Sequence, residues 1–310
     1  MKKIVVLDSY TLTGDDLTWD ELKKLADVTV YDRTKPEDTV ARCVGADMVL
    51  TNKVIIDDAI MEQLPQMKYI GILATGMNVV DLDAAKRRGI VVTNIPAYST
   101  ASVAQMVFAH LLNIVQRVDH YSNQVHEGKW SANADFSMRD TPLIELSGKT
   151  MGLIGLGNTG MATAQVAKAF GMKIIAVTSK SELPEWVESV SKEELFKRSD
   201  VVSLHCPLVP DTEKIINATT LGLMKETSIV INCGRGGLVD EVALAEALKA
   251  GKIMAAGVDV MRQEPPREGS PLIGCENCYI TPHIAWATKE ARVRLMEIAV
   301  KNCKAFIEKR

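Results

Sequence analysis

Lys149-Thr150-Met151-Gly152-Leu153-Ile154-Gly155-Leu156-Gly157-Asn158-Thr159-Gly160 stands almost at the midpoint of the chain, and its reading decides the fold. Residues 149–154 read as a short buried strand that breaks into a turn, and 161–170 continue in helical composition. Gly155, Gly157 and Gly160 form a G-x-G-x-x-G between the two. One glycine permits the tight turn, a second lets the backbone approach a pyrophosphate, and the third lets helix and strand pack closely. The helix N-terminus adds N–H groups that an anion can take. The pattern alone is common in glycine-bearing loops; a strand before it and a helix after it make it a candidate dinucleotide loop.

The chain of 310 residues is too long for one ordinary core, so two domains are expected. Hydrophobic content of 47% and charged content of 24% fit a soluble globular protein. A net charge of −3 supplies no field for nucleic acid or an anionic membrane surface. No apolar run approaches the ~20 residues that span a bilayer. Met1-Lys2-Lys3 resembles a signal n-region for only a few residues; Asp8 ends that reading in favour of a first strand. Cys43, Cys206, Cys233, Cys275, Cys278 and Cys303 are scattered, which suggests reduced thiols and a cytoplasmic protein. Cys275 and Cys278 are the only close pair, with no second pair or nearby histidine, so no metal site is expected.

Strand candidates at 4–7, 28–31, 48–51, 69–73 and 90–93 alternate with helical segments at 20–25, 36–44, 56–64 and 81–88. Such alternation implies parallel pairing with helices on both faces of a sheet. Residues 101–120 break the rhythm with a helix apolar on most sides, hence buried on most sides: a core helix, or one shared between domains or subunits. Residues 121–147 are polar and irregular, with Trp130 and Phe136 as anchors, and read as a linker or subunit-contacting arm. The glycine loop then opens a second alternating series, with strands at 173–177, 200–205, 228–232, 253–258 and 279–281. Helices are expected at 192–197, 219–224 and 241–250, and a long helix at 288–308 is free to return to the first unit.

In open parallel sheets, ligands lie beyond the carboxyl ends of the strands. In the second series those ends carry His205-Cys206-Pro207, Cys233-Gly234-Arg235, Asp259-Val260 and Thr281-Pro282-His283. A 2-keto acid needs an arginine to bind its carboxylate and polarise its carbonyl. It also needs a group titrating near neutrality to deliver a proton as hydride arrives. Arg235 suits the anion, His283 the proton, and Glu264 suits a partner for the histidine. Singly, Arg235 is a helix cap and Glu264 a loop residue beside two prolines; jointly with His283 they point to chemistry. His110, His120 and His126 read as structural or solvated, and His205 as lining a cofactor pocket.

Several of these segments together resemble the D-isomer-specific 2-hydroxyacid dehydrogenases. They are Gly155-x-Gly157-x-x-Gly160, His205-Cys206-Pro207-Leu208, the run from Asn232 to Asp240, Asp259-Val260…Glu264-Pro265, and Thr281-Pro282-His283-Ile284-Ala285-Trp286. Residues 74–82 and 94–103 agree, so the resemblance covers essentially the whole chain. It implies an α/β fold in which a Rossmann-type nucleotide domain, residues 100–286, is inserted into a smaller flavodoxin-like substrate domain, residues 1–99 with 287–310. It further implies a homodimer contacting through an arm at about 101–147. Carried over by position, Arg235 binds the substrate carboxylate and carbonyl, His283 is the acid–base, and Glu264 orients it. The Thr75 and Gly76 amides hold the carboxylate from the other wall. Asn158 and Thr159 meet the pyrophosphate, Asp259 sits near the nicotinamide amide, and Cys206, Pro207 and Cys233 line the cofactor's path.

Trp286, three residues after His283, resembles the glycerate dehydrogenase and glyoxylate/hydroxypyruvate reductase branch, as does Thr51-Asn52-Lys53, where Lys53 adds positive charge. The expected substrates are therefore hydroxypyruvate/D-glycerate or glyoxylate/glycolate, with a D-lactate-type keto acid as the alternative within the family. A nicotinamide-sensing corepressor of the same fold is the alternative outside enzymology. One departure concerns the cofactor. NAD-specific members end the second strand with an acidic residue for the ribose diol. Here Thr178, Ser179 and Lys180 stand instead, two hydroxyls and a cation better suited to a 2′-phosphate. Either NADP or NAD is expected to bind, with NADP acceptance favoured.

Overall fold

The computed structural model describes residues 1–309, and its contacts divide the chain into two compact units, 1–99 with 286–310, and 100–285. In the first unit the strands are β1 (Lys3–Val6), β2 (Asp27–Val30), β3 (Met48–Thr51), β4 (Tyr69–Ile72) and β5 (Val91–Thr93). They pair in the order β2-β1-β3-β4-β5, all parallel, which is the flavodoxin-like winding with its switch point between β1 and β3. The two-residue period of the strands sorts their apolar side chains between two cores. Ile4, Val6 and Leu50 join the terminal helix Lys289–Glu308 through Leu295 and Ala299. Val5, Leu7 and Val49 face the opposite cluster, with Met61 and Ala84.

The second unit holds β6 (Thr150–Ile154), β7 (Lys173–Val177), β8 (Val187–Ser189), β9 (Val201–Leu204), β10 (Ile229–Asn232), β11 (Ala255–Val258) and β12 (Cys278–Ile280). Their order is β12-β11-β10-β9-β6-β7-β8, again all parallel. Counted from the unit's own first strand, this is the doubly wound nucleotide-binding order, with the switch point between β6 and β9. The glycine loop leaves β6 at that point. Helix Thr100–Gln116 supplies Val107, Leu111 and Ile114 to the core on one face of this sheet.

Three departures from the sequence reading have local causes. The apolar helix expected over 101–120 ends at Gln116; Arg117 takes a left-handed conformation (φ +52°), and a second helix, Val118–His126, runs into the segment read as irregular. A single left-handed residue leaves no trace in composition. The helix Tyr10–Thr13 is too short to show a period, and the edge strand β8, Val187-Glu188-Ser189, carries a single apolar residue. Trp286 groups with the first unit, not with the nucleotide-binding unit, because its indole packs on the core that the terminal helix completes.

Candidate active site

Each glycine of the loop does a different physical job. Gly155 sits at φ +94°, and a Cβ there would lie 2.7 Å from the carbonyl carbon and oxygen of His205, so the loop passes hard against the end of β9. A Cβ on Gly160 would stand 2.3 Å from the Gly155 oxygen, so helix Asn158–Ala169 packs on the loop itself. Gly157 is the contrast: a Cβ there would meet nothing within 4 Å. It caps the helix without a side-chain hydrogen bond, and no acidic residue occupies the first turn. Open space before uncapped N–H groups fits a pyrophosphate, with Asn158 and Thr159 in the first turn.

Around the loop, the strand ends carry the residues that the sequence singled out. Thr178, Ser179 and Lys180 follow β7, with Lys180 N–H donating to Thr178 Oγ1 (3.2 Å) and the Ser179 and Lys180 side chains exposed. Cys206 follows β9 half-buried beside an exposed Pro207, and Cys233 follows β10 buried. Burial pushes both thiols above their ordinary range, Cys233 the further, so they present neutral walls. The His205 imidazole bonds Ser203 Oγ (2.9 Å), and burial lowers its pKa to about 4, which leaves it neutral.

Arg235 leaves β10 through a turn fixed by Asn232, whose fully buried amide accepts from Gly234 N–H (3.0 Å) and donates to the Arg235 carbonyl (2.9 Å). The guanidinium of this exposed residue donates to the Gly234 carbonyl (2.8 Å). Gly236 cannot be anything larger: a Cβ would fall 2.0 Å from the carbonyl of Met261. That close passage sets the arginine turn against the loop that carries Glu264. Glu264 accepts from Met261 N–H through Oε1 (2.9 Å) and holds His283 Nδ1 through Oε2 (2.6 Å). With Nδ1 engaged, Nε2 is the ring nitrogen left for proton transfer. The pair is half-buried, at 27% and 34% side-chain exposure, so it is accessible to a small molecule and moderately screened.

Asp259 is buried, and its carboxylate takes three donors of the protein itself. It accepts from Thr281 Oγ1 (2.6 Å), Ile284 N–H (2.9 Å) and Ala285 N–H (2.8 Å), while its carbonyl accepts from His283 N–H (2.8 Å). It thereby shapes the loop in which His283 adopts φ +54°. In the first unit, Asp8 accepts from the N–H groups of Asn52 and Lys53 (2.8 and 2.5 Å) and fixes the turn after β3. Thr75 is pinned by its hydroxyl to the Ile95 carbonyl (2.8 Å) and by its own carbonyl to Asn94 (2.8 Å); Gly76 follows it. Lys53 and Thr75 are not buried, and Trp286 lies against its unit's core.

The structure thus joins Glu264 to His283 and packs the Arg235 turn on the Glu264 loop. Gly236 and Thr281 were not assigned from the sequence, because Met261, Asp259 and His110 lie far from them along the chain; Asn232 bonds only two and three residues ahead, and its place at a strand end hints at a turn-stapling amide. The set offers a cation for a carboxylate, an imidazole with one free nitrogen, and a carboxylate that stabilises the charged ring. No helix among the described residues is long and apolar enough to cross a membrane.

A family model described as D-isomer specific 2-hydroxyacid dehydrogenase, NAD binding domain, matches residues 108–285. The chain is 47% identical to a hydroxypyruvate reductase of Blautia hydrogenotrophica, over 99% of this chain and 97% of that one. It is 40% identical to a glycerate dehydrogenase of Methylorubrum extorquens, over 99% and 96%. Among solved structures, a protein of Thermus thermophilus superposes with a TM-score of 0.89 at 35% identity, over 99% of this chain and 97% of that chain.

Proposed function

The chain belongs to the D-isomer-specific 2-hydroxyacid dehydrogenases, and from that premise we propose that it reduces hydroxypyruvate to D-glycerate, or glyoxylate to glycolate. Family membership makes it an oxidoreductase that acts on CH–OH groups with a nicotinamide cofactor. The observation that carries the reading is the 2.6 Å bond between His283 and Glu264 on a loop packed against the Arg235 turn. Similarity to a hydroxypyruvate reductase and a glycerate dehydrogenase supports the choice of keto acid.

The nicotinamide, when bound, supplies the hydride. Arg235 holds the substrate carboxylate and stabilises the negative charge that develops on the carbonyl oxygen. His283 gives its Nε2 proton to that oxygen, and Glu264 stabilises the charged ring before the transfer and fixes its tautomer. The Thr75 and Gly76 amides and the Lys53 ammonium add attraction for the carboxylate, and Trp286 restricts the side chain admitted. In the cofactor site, Asn158 and Thr159 take the pyrophosphate, and Cys206, Pro207 and Cys233 form neutral walls. Thr178, Ser179 and Lys180 favour a 2′-phosphate, so NADPH serves at least as well as NADH. The protein works as a cytoplasmic homodimer; the exposed Phe136 and Trp130 of the arm support an interface there.

Initial rates of NADPH and NADH oxidation with hydroxypyruvate, glyoxylate, pyruvate and bulkier keto acids test the reading. Hydroxypyruvate or glyoxylate is expected to give the highest kcat/KM. A preference for pyruvate or a bulky acid overturns the substrate, and a large NADH preference overturns the cofactor.

A further inference from the structure

We propose that His110, on helix Thr100–Gln116, is a positioning residue for the catalytic histidine and acts through Thr281 and Asp259. His110 is 5% exposed, and its Nε2 lies 3.0 Å from Thr281 Oγ1, which lies 2.6 Å from Asp259 Oδ1. The direction of both bonds follows from donor counting. Asp259 Oδ1 also takes the Ile284 N–H and so acts as an acceptor, and the Thr281 hydroxyl donates its single proton to it. Thr281 is then an acceptor toward His110, which must carry its proton on Nε2. Burial lowers the His110 pKa against the opposing pull of Asp259, which agrees with a neutral ring.

A second observation points the same way. A Cβ on Gly257, inside β11, a strand paired on both sides, would lie 2.7 Å from His110 Cβ and 3.0 Å from its Nδ1. Glycine weakens a strand interior and marks the close approach of another group; here it is the His110 side chain, from its Cβ into the ring, that lies against the strand. The far end of the relay is the loop 281–285. Asp259 accepts from the N–H groups of Ile284 and Ala285, and the His283 N–H is shared between the carbonyls of Asp259 (2.8 Å) and Thr281 (3.0 Å). His283 sits at φ +54°, a conformation costly to a residue with a Cβ, and such a conformation persists where its surroundings over-determine it. His110 supplies the donor that fixes the Thr281 hydroxyl on Asp259, and thereby the loop that aims His283.

The inference rests on His283 delivering the proton, and an activity-independent readout separates the two claims. His110→Leu removes the donor, His110→Gln retains an N–H near the same reach, and Thr281→Val removes the hydroxyl at constant shape. The loss of one buried hydrogen bond predicts a drop in kcat of about fivefold to tenfold in His110→Leu, with KM for the keto acid within about twofold. His110→Gln is expected to recover kcat to within about twofold of the wild type. In a Thr281→Val background, His110→Leu costs less than about 1.5-fold, because the relay is already cut. In the protein without cofactor, hydrogen exchange at the Ile284 and Ala285 amides rises in His110→Leu and in Thr281→Val. Unchanged kcat or unchanged exchange in His110→Leu overturns the proposal, as does a loss that persists undiminished in the Thr281→Val background. Wild-type turnover in His283→Ala removes the catalytic reading instead, and leaves the exchange result to stand alone.

Discussion

Glu264→Gln isolates what the carboxylate does for His283. Glu264 serves two donors at once, Met261 N–H at 2.9 Å and His283 Nδ1 at 2.6 Å, and a glutamine amide offers only one acceptor oxygen. If that oxygen stays on Met261, the NH2 group meets Nδ1 and forces the ring proton onto Nε2; giving it up then leaves an imidazolate in place of a neutral ring. If the oxygen turns to His283, Met261 N–H faces another donor. Either way one charge-assisted bond is lost, which is worth roughly 1.5–3 kcal/mol. Side-chain exposures of 27% and 34% place the pair within reach of solvent screening, so the lower half of that range applies. About 1.5–2 kcal/mol is ~10–30-fold in kcat/KM for keto-acid reduction. Initial rates of NAD(P)H oxidation measure it, with Glu268→Gln, an exposed carboxylate on the same loop, as control. If Glu264→Gln stays within about twofold of the wild type while still folded, Glu264 does not orient the catalytic histidine.

Two glycines of the nucleotide loop should separate folding from binding. Gly155→Ala places a methyl at φ +94° against the His205 carbonyl and is expected to lower the melting temperature sharply. Gly157→Ala points its methyl into open space and should leave the melting temperature unchanged while raising the KM for the cofactor; calorimetry with cofactor titration checks both. His205 makes stability depend on acid. Its pKa is about 4 when folded against an ordinary value of 6.5, so the unfolded chain takes up a proton that the folded one refuses. Its contribution is therefore complete above pH ~6.5 and lost as the pH falls toward ~4. The full shift corresponds to ~3 kcal/mol, an upper bound on what is lost. Urea unfolding of wild type and His205→Gln at several pH values should show a flatter dependence in the variant. Replacing Lys180 by Glu puts a carboxylate after β7, and the ratio of kcat/KM for NADPH to that for NADH should fall about tenfold.

Both sheets were legible, β8 apart, because their strands are short runs rich in apolar residues, separated by segments that carry glycine, proline or polar caps. Met48–Thr51 and Lys173–Val177 stand at their expected bounds. What lacks a periodic signal was not legible: the left-handed Arg117 that ends the apolar helix, and β8 with its single apolar residue. In the site, Arg235, Glu264 and His283 could be named from residue type and strand-end position. The work of Asp259 could not, since its partners Thr281, Ile284 and Ala285 lie more than twenty residues away along the chain. His110 read as a structural histidine because its apolar helix gives no sign of the glycine in β11 that receives its ring. Sequence spacing reports chemistry when the group stands at a strand end, and is silent when a group acts by holding another.

The central claim is that His283 carries the proton in a nicotinamide-dependent reduction. It is tested most directly by His283→Ala, with hydroxypyruvate-dependent NADPH oxidation and cofactor affinity measured on the same preparation. The loss of a general acid predicts a kcat at least ~100-fold lower, with NADPH still bound at wild-type affinity by fluorescence titration. Turnover near the wild-type rate with NADPH bound would contradict it.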